Sequence, residues 1–122
     1  MGEYVLAALG DLFFAAKIRA TATHLGIEVR FVKSLNAAIE TAHSEPPTLV
    51  IMDLHSQKLD PFELAGRLKS DEQLNKVPLL GFYSHVQTAL QRKAVQAGFD
   101  RVIPRSAFSK NLAEILEESK KQ

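Results

Sequence analysis

The sequence predicts an α/β fold in which helices cover both faces of a parallel sheet. Short apolar runs alternate along the chain with segments of helical periodicity, and the connections between them are short. The clearest run, PTLVIMDL at residues 47–54, has no polar alternation, which is typical of a strand buried on both faces. It runs into one carboxylate, Asp53, and function in open α/β sheets gathers where the strands end.

The first strand–helix unit begins with residues 4–9 (YVLAAL), an apolar run that predicts a buried strand. Gly10 and Asp11 follow as a turn. Residues 12–25 have the apolar spacing of an amphipathic helix. Gly26 comes directly after them, at the position where a left-handed conformation commonly ends a helix.

The second unit begins with residues 27–32 (IEVRFV), which alternate between apolar and polar side chains. This alternation predicts a half-exposed strand near an edge of the sheet. Ser34 is the predicted N-cap of a helix that continues to about His43.

In the third unit, the strand that ends at Asp53 leads into a loop at residues 55–60. Asp60 is the predicted cap of the next helix, and Pro61 suits its first turn because that position needs no N–H donor. The side chains expected to face inward are Leu64, Leu68 and Leu74.

The fourth unit combines a predicted strand at residues 77–82 (VPLLGF) with a helix that opens at His85 or Gln87 and closes at Gly98. The residues expected on the inner face of this helix are Ala89 or Leu90, Ala94, Val95 and Ala97.

The fifth unit is a short strand at residues 99–103 and a last helix that Ser109 is expected to cap. The apolar face of that helix is predicted to contain Leu112, Ile115 and Leu116. Five strands alternating with five helices predict a flavodoxin-like (βα)5 three-layer sandwich, with a five-stranded parallel sheet in the order 2-1-3-4-5. The strand order reverses between strands 1 and 3, which places Asp11 beside Asp53.

Composition narrows the functional classes. The 122 residues, 46% hydrophobic and 24% charged, predict one globular domain over residues 1–122. A net charge of +1 predicts neither a nucleic-acid nor a membrane partner. The absence of cysteine excludes disulfides and thiol chemistry. Neither a signal peptide nor an apolar run near the roughly 20 residues of a membrane span is visible, so we predict a cytoplasmic location.

A spaced set of residues resembles the receiver domain of bacterial response regulators. The segment that begins at Asp53 is similar to the D-L-x-M-P-x-M-D-G-x-E-L stretch of that family, with Pro61 in place of its glycine. The resemblance covers essentially the whole chain and aligns from Asp53 to the end without a gap. The matching residues are Asp53, Leu54, Leu59, Asp60, Glu63, Leu64, Val77, Pro78, Ala97, Gly98, Phe99 and Asp100.

The resemblance implies an aspartyl-phosphate switch. In this family an aspartate accepts a phosphoryl group, two acidic residues after the first strand hold Mg²⁺, and a Ser/Thr hydroxyl and a lysine contact the phosphoryl oxygens. Asp53 matches the phosphoacceptor position. The hydroxyl position falls on Tyr83, with Ser84 beside it, and the lysine position falls on Arg105.

The acidic positions depart most from the family pattern, because they fall on Leu9 and Gly10, with Asp11 one place later. A lone carboxylate is a poor site for Mg²⁺, which prefers carboxylates and substrate phosphate in an octahedron. We therefore predict a degenerate pocket, a pseudo-receiver without catalytic residues. In it, Arg105 is expected to pair directly with Asp53, and Asp11 to cap the first helix rather than bind metal.

The family further implies that such a module is not an enzyme and acts on other signalling proteins, namely a kinase or an effector domain. The surface implied for these contacts comprises the fourth helix, the fifth strand and the fifth helix. For the adjacent rings of Phe13 and Phe14, we expect one in the core and the other at a rim or interface.

Two alternatives remain open. In the first, the chain is a functional Mg²⁺-dependent phosphoacceptor, in which Asp11 and Asp53 bind the metal and Ser84 or Tyr83 contacts the phosphate. In the second, it is a small flavodoxin-like protein that binds a ligand or a transition metal at the carboxyl rim of the sheet. The residues for that site are Asp53, His55 and His85.

Overall fold

A computed structural model describes residues 3–84 and 87–120, which fold around a five-stranded parallel sheet. The strands are β1 Tyr4–Ala8, β2 Glu28–Val32, β3 Leu49–Asp53, β4 Leu79–Tyr83 and β5 Arg101–Pro104. The helices are α1 Leu12–Leu25, α2 Leu35–Ser44, α3 Pro61–Lys69, α4 Thr88–Ala97, α5 Arg105–Lys110 and α6 Leu112–Ser119. The order across the sheet is β2-β1-β3-β4-β5, which confirms the predicted flavodoxin-like topology.

The central strand β3 is buried on both faces, as its unbroken apolar run predicts. Val50 and Met52 contact the core cluster beneath α2, α3 and α4. Leu49 and Ile51 point to the opposite cluster, beneath α1, α5 and α6. Because successive side chains of a strand point to opposite faces, each residue of this run occupies one of the two cores.

The edge position of β2 is also confirmed. It pairs only with β1 among the described strands, and most of its side chains are half-buried or exposed. Arg30 of β2 lies over the ring of Tyr4, 3.9 Å from its centroid, and forms ion pairs with Glu28 and Glu45. Charged side chains along an edge strand disfavour pairing with another sheet.

Three of the predicted N-caps, those of α1, α2 and α3, are confirmed. The side chains of Asp11, Ser34 and Asp60 accept hydrogen bonds from backbone N–H groups in the first turns of α1, α2 and α3. Gly26 and Gly98 follow α1 and α4 in the left-handed conformation, with φ of 71° and 104°. These local signals bound the helices because they satisfy backbone groups that have no partner inside the helix.

The inward face of α4 differs from the prediction at one residue. Val95 is 64% exposed, whereas the neighbouring Ala94 is fully buried. Consecutive helical residues are separated by about 100°, so a helix that turns Ala94 toward the sheet turns Val95 away from it. Gln87 is the N-cap residue, one of the two predicted openings, and the other, His85, lies outside the described residues.

The last helix also differs, because it forms two segments and begins earlier than predicted. Ser109 lies inside α5 and does not cap a helix, and Asn111 separates α5 from α6. The ring of Phe108 stacks on Phe82 at a centroid distance of 4.9 Å, which accounts for a helix that starts directly after β5. The predicted apolar face of α6 is nevertheless buried, through Leu112, Ile115 and Leu116.

The strands β4 and β5 each begin two residues later than the apolar runs suggested, because Val77 and Phe99 precede the ladder as buried loop residues. The longest of the described helices, α1, has 14 residues. Within residues 3–84 and 87–120, no helix has the length and apolar character required to cross a bilayer.

Candidate functional site

Asp53 is the last residue of β3, at the carboxyl edge of the sheet. In the ladder it pairs with Phe82 of β4, and the preceding Met52 pairs with Ala8 of β1. Its Oδ1 atom accepts a hydrogen bond from the backbone N–H of His55 at 2.8 Å. Because the side chain is only half-buried, the residue at the phosphoacceptor position is open to solvent from the edge of the sheet.

A cleft of about 270 Å³ lies over this edge. It is lined by Gly10, Asp11, Asp53, Ser56, Gln57 and Lys58. The structure therefore brings Asp11 and Asp53 to one cleft, as the reversal of strand order between β1 and β3 predicts. Within residues 3–84 and 87–120, the predicted phosphate-contact residues Tyr83, Ser84 and Arg105 are not part of this lining.

Asp11 has two roles with one carboxylate. Its Oδ1 atom accepts hydrogen bonds from the backbone N–H groups of Phe13 and Phe14 at 3.0 and 3.1 Å, which makes it the N-cap of α1. Its Oδ2 atom accepts a hydrogen bond from Arg105 Nη2 at 2.9 Å. The hydrogen bond from Phe14, assisted by the Arg105 guanidinium, holds the pKa of Asp11 below its usual value.

Arg105 corrects one prediction, since it pairs with Asp11 and not with Asp53. It is the first residue of α5, and its guanidinium also lies over the ring of Phe14, 4.4 Å from the centroid. Two contacts on α1 thus position this side chain, one an ion pair and one a cation–π contact. The sequence could not distinguish the two carboxylates, because both follow strands that end at the same edge.

Tyr83 is the last residue of β4 and is 6% exposed, within the core cluster beneath α2, α3 and α4. Its hydroxyl oxygen accepts a hydrogen bond from Gln91 Nε2 of α4 at 2.7 Å. The hydroxyl therefore joins β4 to α4. Ser84 follows it as an exposed residue.

The histidines proposed for a metal site are only partly described. The backbone of His55 contacts Asp53, as noted above, while His85 lies outside the described residues. Across residues 3–84 and 87–120, no group of three or more His, Asp or Glu side chains is arranged to hold a metal ion.

The donor set at the cleft does not fit the Mg²⁺ that the family resemblance implies. Both oxygens of Asp11 already accept hydrogen bonds, and one of the donors is the guanidinium of Arg105. The two family acidic positions fall on Leu9, which is 2% exposed and apolar, and on Gly10, which has no side chain. A hard cation requires several oxygen ligands that are not neutralised by a neighbouring arginine.

Lys58 is a cleft residue that sequence reasoning did not single out. The only signal for it is the next residue, Leu59, an apolar side chain within a polar loop. Leu59 is 2% exposed and anchors the loop to the core, so the residue before it lies at the rim of the sheet.

The adjacent rings of Phe13 and Phe14 divide as predicted. Phe14 is buried and lies 4.9 Å from Phe82 and 5.4 Å from Phe108, measured between ring centroids. Phe13 is 85% exposed. One ring is thus part of the core beneath α1 and α5, and the other is at the surface.

The fold defined by this sheet and these helices is that of the CheY-like receiver domains of response regulators. The chemotaxis response regulator CheY4 of Vibrio cholerae matches with a TM-score of 0.83 and 16% identity, over 98% of this chain and 99% of that one. The receiver domain of NtrX from Brucella abortus matches with a TM-score of 0.81 and 18% identity, over 97% and 98% of the two chains.

The phosphorylated cyanobacterial phytochrome response regulator RcpA matches with a TM-score of 0.79 and 18% identity, over 99% of this chain and 93% of that one. At this level of identity the likeness establishes the fold. No protein-family model matches the chain, and no curated protein sequence matches it. The structural matches therefore confirm the receiver-like fold that the spaced motifs predict.

Proposed function

We propose that this chain is a pseudo-receiver, a module of two-component type that signals through protein–protein contacts without Mg²⁺-dependent phosphorylation of Asp53. The observation that carries the proposal is the contact of Arg105 with Asp11 at 2.9 Å. Through this contact the guanidinium of Arg105 neutralises the carboxylate of Asp11, which lines the same cleft as Asp53.

The electrostatics of phosphoryl transfer support this proposal. An anionic phosphoryl donor approaching Asp53 meets carboxylate repulsion, which a metal ion normally offsets. Here Lys58 lines the cleft, but a lysine ammonium cannot organise phosphoryl and carboxylate oxygens as an octahedral metal does.

The β4–α4 connection also supports it. The hydroxyl at the family's phosphate-contact position belongs to Tyr83, and it bonds to Gln91 of α4. That hydrogen bond holds strand and helix together in the absence of any phosphoryl group. A module of this kind presents one constant surface, and the proposed partners are a kinase or an effector domain that contacts α4, β5 and the helices after β5.

The partner class rests on the receiver fold shared with response regulators and on exposed apolar surface along α4, where Val95 is 64% exposed. A cytoplasmic location is part of the same proposal, because kinases and effectors of this type are found there. No catalytic residue is assigned to the chain.

Phosphorylation is tested by exposing the full chain to acetyl phosphate, and separately to beryllofluoride, with Mg²⁺ present. Intact mass and backbone NMR shifts report modification and binding. We expect no phosphoryl adduct and no shifts around the cleft. An adduct that forms on the wild type and is lost in Asp53→Asn contradicts the proposal.

A second candidate is a functional Mg²⁺-dependent phosphoacceptor, favoured by the fact that Asp11 and Asp53 line the same cleft. In that case Mg²⁺ must displace Arg105 from Asp11. Titration with Mg²⁺ separates the two candidates, because displacement shifts the amide signals of Phe13 and Phe14, whose N–H groups bond to Asp11. Arg105→Ala serves as the matched variant, since removing the competing cation strengthens Mg²⁺ binding only if Asp11 is a ligand.

A further inference from the structure

A small cavity lies at the amino end of the sheet, between the starts of β3, β4 and β5 and the last turns of α6. Its volume is about 100 Å³. Leu49, which lines it, is the first residue of β3, and Asp53 is the last. About 13 Å of strand therefore separates this cavity from the cleft at Asp53. We call it the amino-end cavity.

The floor of the amino-end cavity is apolar. The side chains that form it come from the two central strands, the residue before β4, and α6, and they are Leu49, Pro78, Leu80 and Ile115. An apolar cavity of about 150 Å³ in another protein accepts a benzene ring. A cavity of about 100 Å³ therefore has space for a smaller group, such as a branched aliphatic chain of about three or four carbon atoms.

The mouth of the cavity has one charge of each sign. Arg101 Nη1 of β5 lies 3.4 Å from Glu118 Oε1 of α6, and the two side chains are 46% and 62% exposed. An exposed ion pair of this length contributes little, so both groups remain available to a ligand. Because α6 ends at Ser119, which also lines the cavity, the partial negative charge of the helix C-terminus adds to that of Glu118.

We propose that the amino-end cavity binds a small aliphatic α-amino acid. The aliphatic side chain of the ligand occupies the apolar floor, its carboxylate pairs with Arg101, and its ammonium group pairs with Glu118. The ligand thus replaces one long ion pair with two and leaves neither protein charge unpaired. The inference goes beyond the function proposed above, because it involves neither Asp53 nor a phosphoryl group.

Other small ligands are poorer occupants. A short-chain carboxylate that pairs with Arg101 lies close to Glu118, and an aliphatic amine that pairs with Glu118 lies close to Arg101, so each meets a like charge. An aromatic amino acid is too large for a cavity of about 100 Å³, and glycine has no side chain to fill it. The ligand class is therefore a zwitterion with a short aliphatic side chain.

The test adds L-valine to the isotope-labelled full chain and follows the backbone amide signals by NMR. We expect saturable shifts at Leu80, Ile115 and Ser119, with a Kd of about 1 mM for a ligand of this size. Isovalerate lacks the ammonium group of valine, and isobutylamine lacks its carboxylate. Each is expected to bind about 10-fold more weakly, through loss of one charged contact. Glycine and phenylalanine are the size controls, for which we expect no saturable shifts at these amides.

Two variants assign the charged groups of the ligand. Glu118→Gln is expected to weaken binding of L-valine about 10-fold and to strengthen binding of isovalerate, because it removes both an attraction and a repulsion. Arg101→Gln is expected to weaken L-valine and to strengthen isobutylamine for the same reason. Glu117→Gln on α6 and Arg92→Gln on α4 are matched controls, since both residues are exposed and neither lines the cavity. Circular dichroism verifies that all four variants are folded.

Several results overturn the proposal. If L-valine gives no saturable shifts, the cavity is only a gap in the packing. If isovalerate or isobutylamine binds as tightly as L-valine, the site belongs to a simple carboxylate or to an amine. Equal losses in the control variants Glu117→Gln and Arg92→Gln place the binding elsewhere. None of these results bears on phosphorylation of Asp53, so this proposal and the proposed function can fail separately.

Discussion

At the scale of single residues, Asp11 connects the cleft to the rest of the molecule. It caps α1 through two backbone hydrogen bonds and pairs with the first residue of α5 through its other oxygen. The carboxylate one place after the family's two acidic positions thus has a structural role here. The consequence is that its removal affects folding stability as well as the charge of the cleft.

Asp11→Ala is expected to lower the free energy of unfolding by about 1–2 kcal/mol, because it leaves two N–H groups of the first turn of α1 without an acceptor. Asp11→Asn is the matched control, since its amide oxygen still caps the helix and only the partly exposed charge pair is lost. For that pair we expect a loss of at most about 1 kcal/mol. Urea unfolding measures both, and equal losses in the two variants would contradict the capping role.

The difference in stability between the wild type and Asp11→Asn is expected to depend on pH. The pKa of Asp11 is lower in the folded protein than in the unfolded chain, so its charge contributes stability above the ordinary carboxylate pKa of about 3.9. That contribution is lost as pH falls below this value toward the folded pKa. The gap in unfolding free energy between wild type and Asp11→Asn should therefore narrow on acidification, and a gap that widens would show the opposite sign.

At the scale of elements, short local signals set the helix boundaries. Each capping residue satisfies backbone groups at one helix end, and Gly98 ends α4 with a φ of 104°. Glycine is required at position 98 for two reasons. The backbone is in the left-handed conformation, and an added Cβ would lie 2.8 Å from Lys69 Cγ. Gly66, inside α3, has no such constraint, because nothing lies within 4 Å of its Cβ position.

These two glycines predict opposite effects of one substitution. Gly98→Ala is expected to destabilise the protein by about 1 kcal/mol or more, because alanine strains the left-handed conformation. Gly66→Ala is expected to stabilise it by about 0.5–1 kcal/mol, since alanine is the better helix former at an exposed site. Thermal and urea unfolding of both variants provide the measurement, and a change of the same sign in both would contradict the assignment.

At the scale of the whole molecule, two cores sandwich one sheet, and each is closed by helices from distant parts of the chain. The core beneath α1, α5 and α6 contains the ring cluster of Phe14, Phe82 and Phe108. These rings come from three different elements. Their contact fixes where α5 begins and therefore where Arg105 lies.

Phe14→Ala and Phe13→Ala test this arrangement with the same chemical change at adjacent positions. Loss of the buried ring of Phe14 is expected to lower the free energy of unfolding by about 3–5 kcal/mol through lost burial and a cavity. Loss of Phe13, which is 85% exposed, is expected to change it by no more than about 0.5 kcal/mol. Denaturant titration measures both, and similar losses would show that the cluster does not stabilise the fold.

The architecture was accessible from the sequence because its signals are local. The periodicity of apolar residues identified the strands, and the caps at Asp11, Ser34 and Asp60 identified helix starts. The same signals failed at Ser109. A serine can cap a helix or lie inside one, and the local sequence does not distinguish the two positions. The buried ring of Phe108 contacts Phe82, a residue distant in sequence, and this contact favours a helix that begins before Ser109.

The features of the candidate site also fall into two groups, those predicted from the sequence and those seen only in the structure. The sequence by itself determined the parallel sheet and its order, because strands and helices alternate along the whole chain and the rules for their connections leave few topologies. It also determined the position of Asp53 at the end of a buried strand, because that depends on an apolar run of a few residues. Only the tertiary structure decided that Arg105 pairs with Asp11, that Tyr83 bonds to Gln91, and that Lys58 lines the cleft. These contacts depend on how closely elements that are distant in sequence approach one another. The periodicity of apolar residues does not determine which side chains then meet.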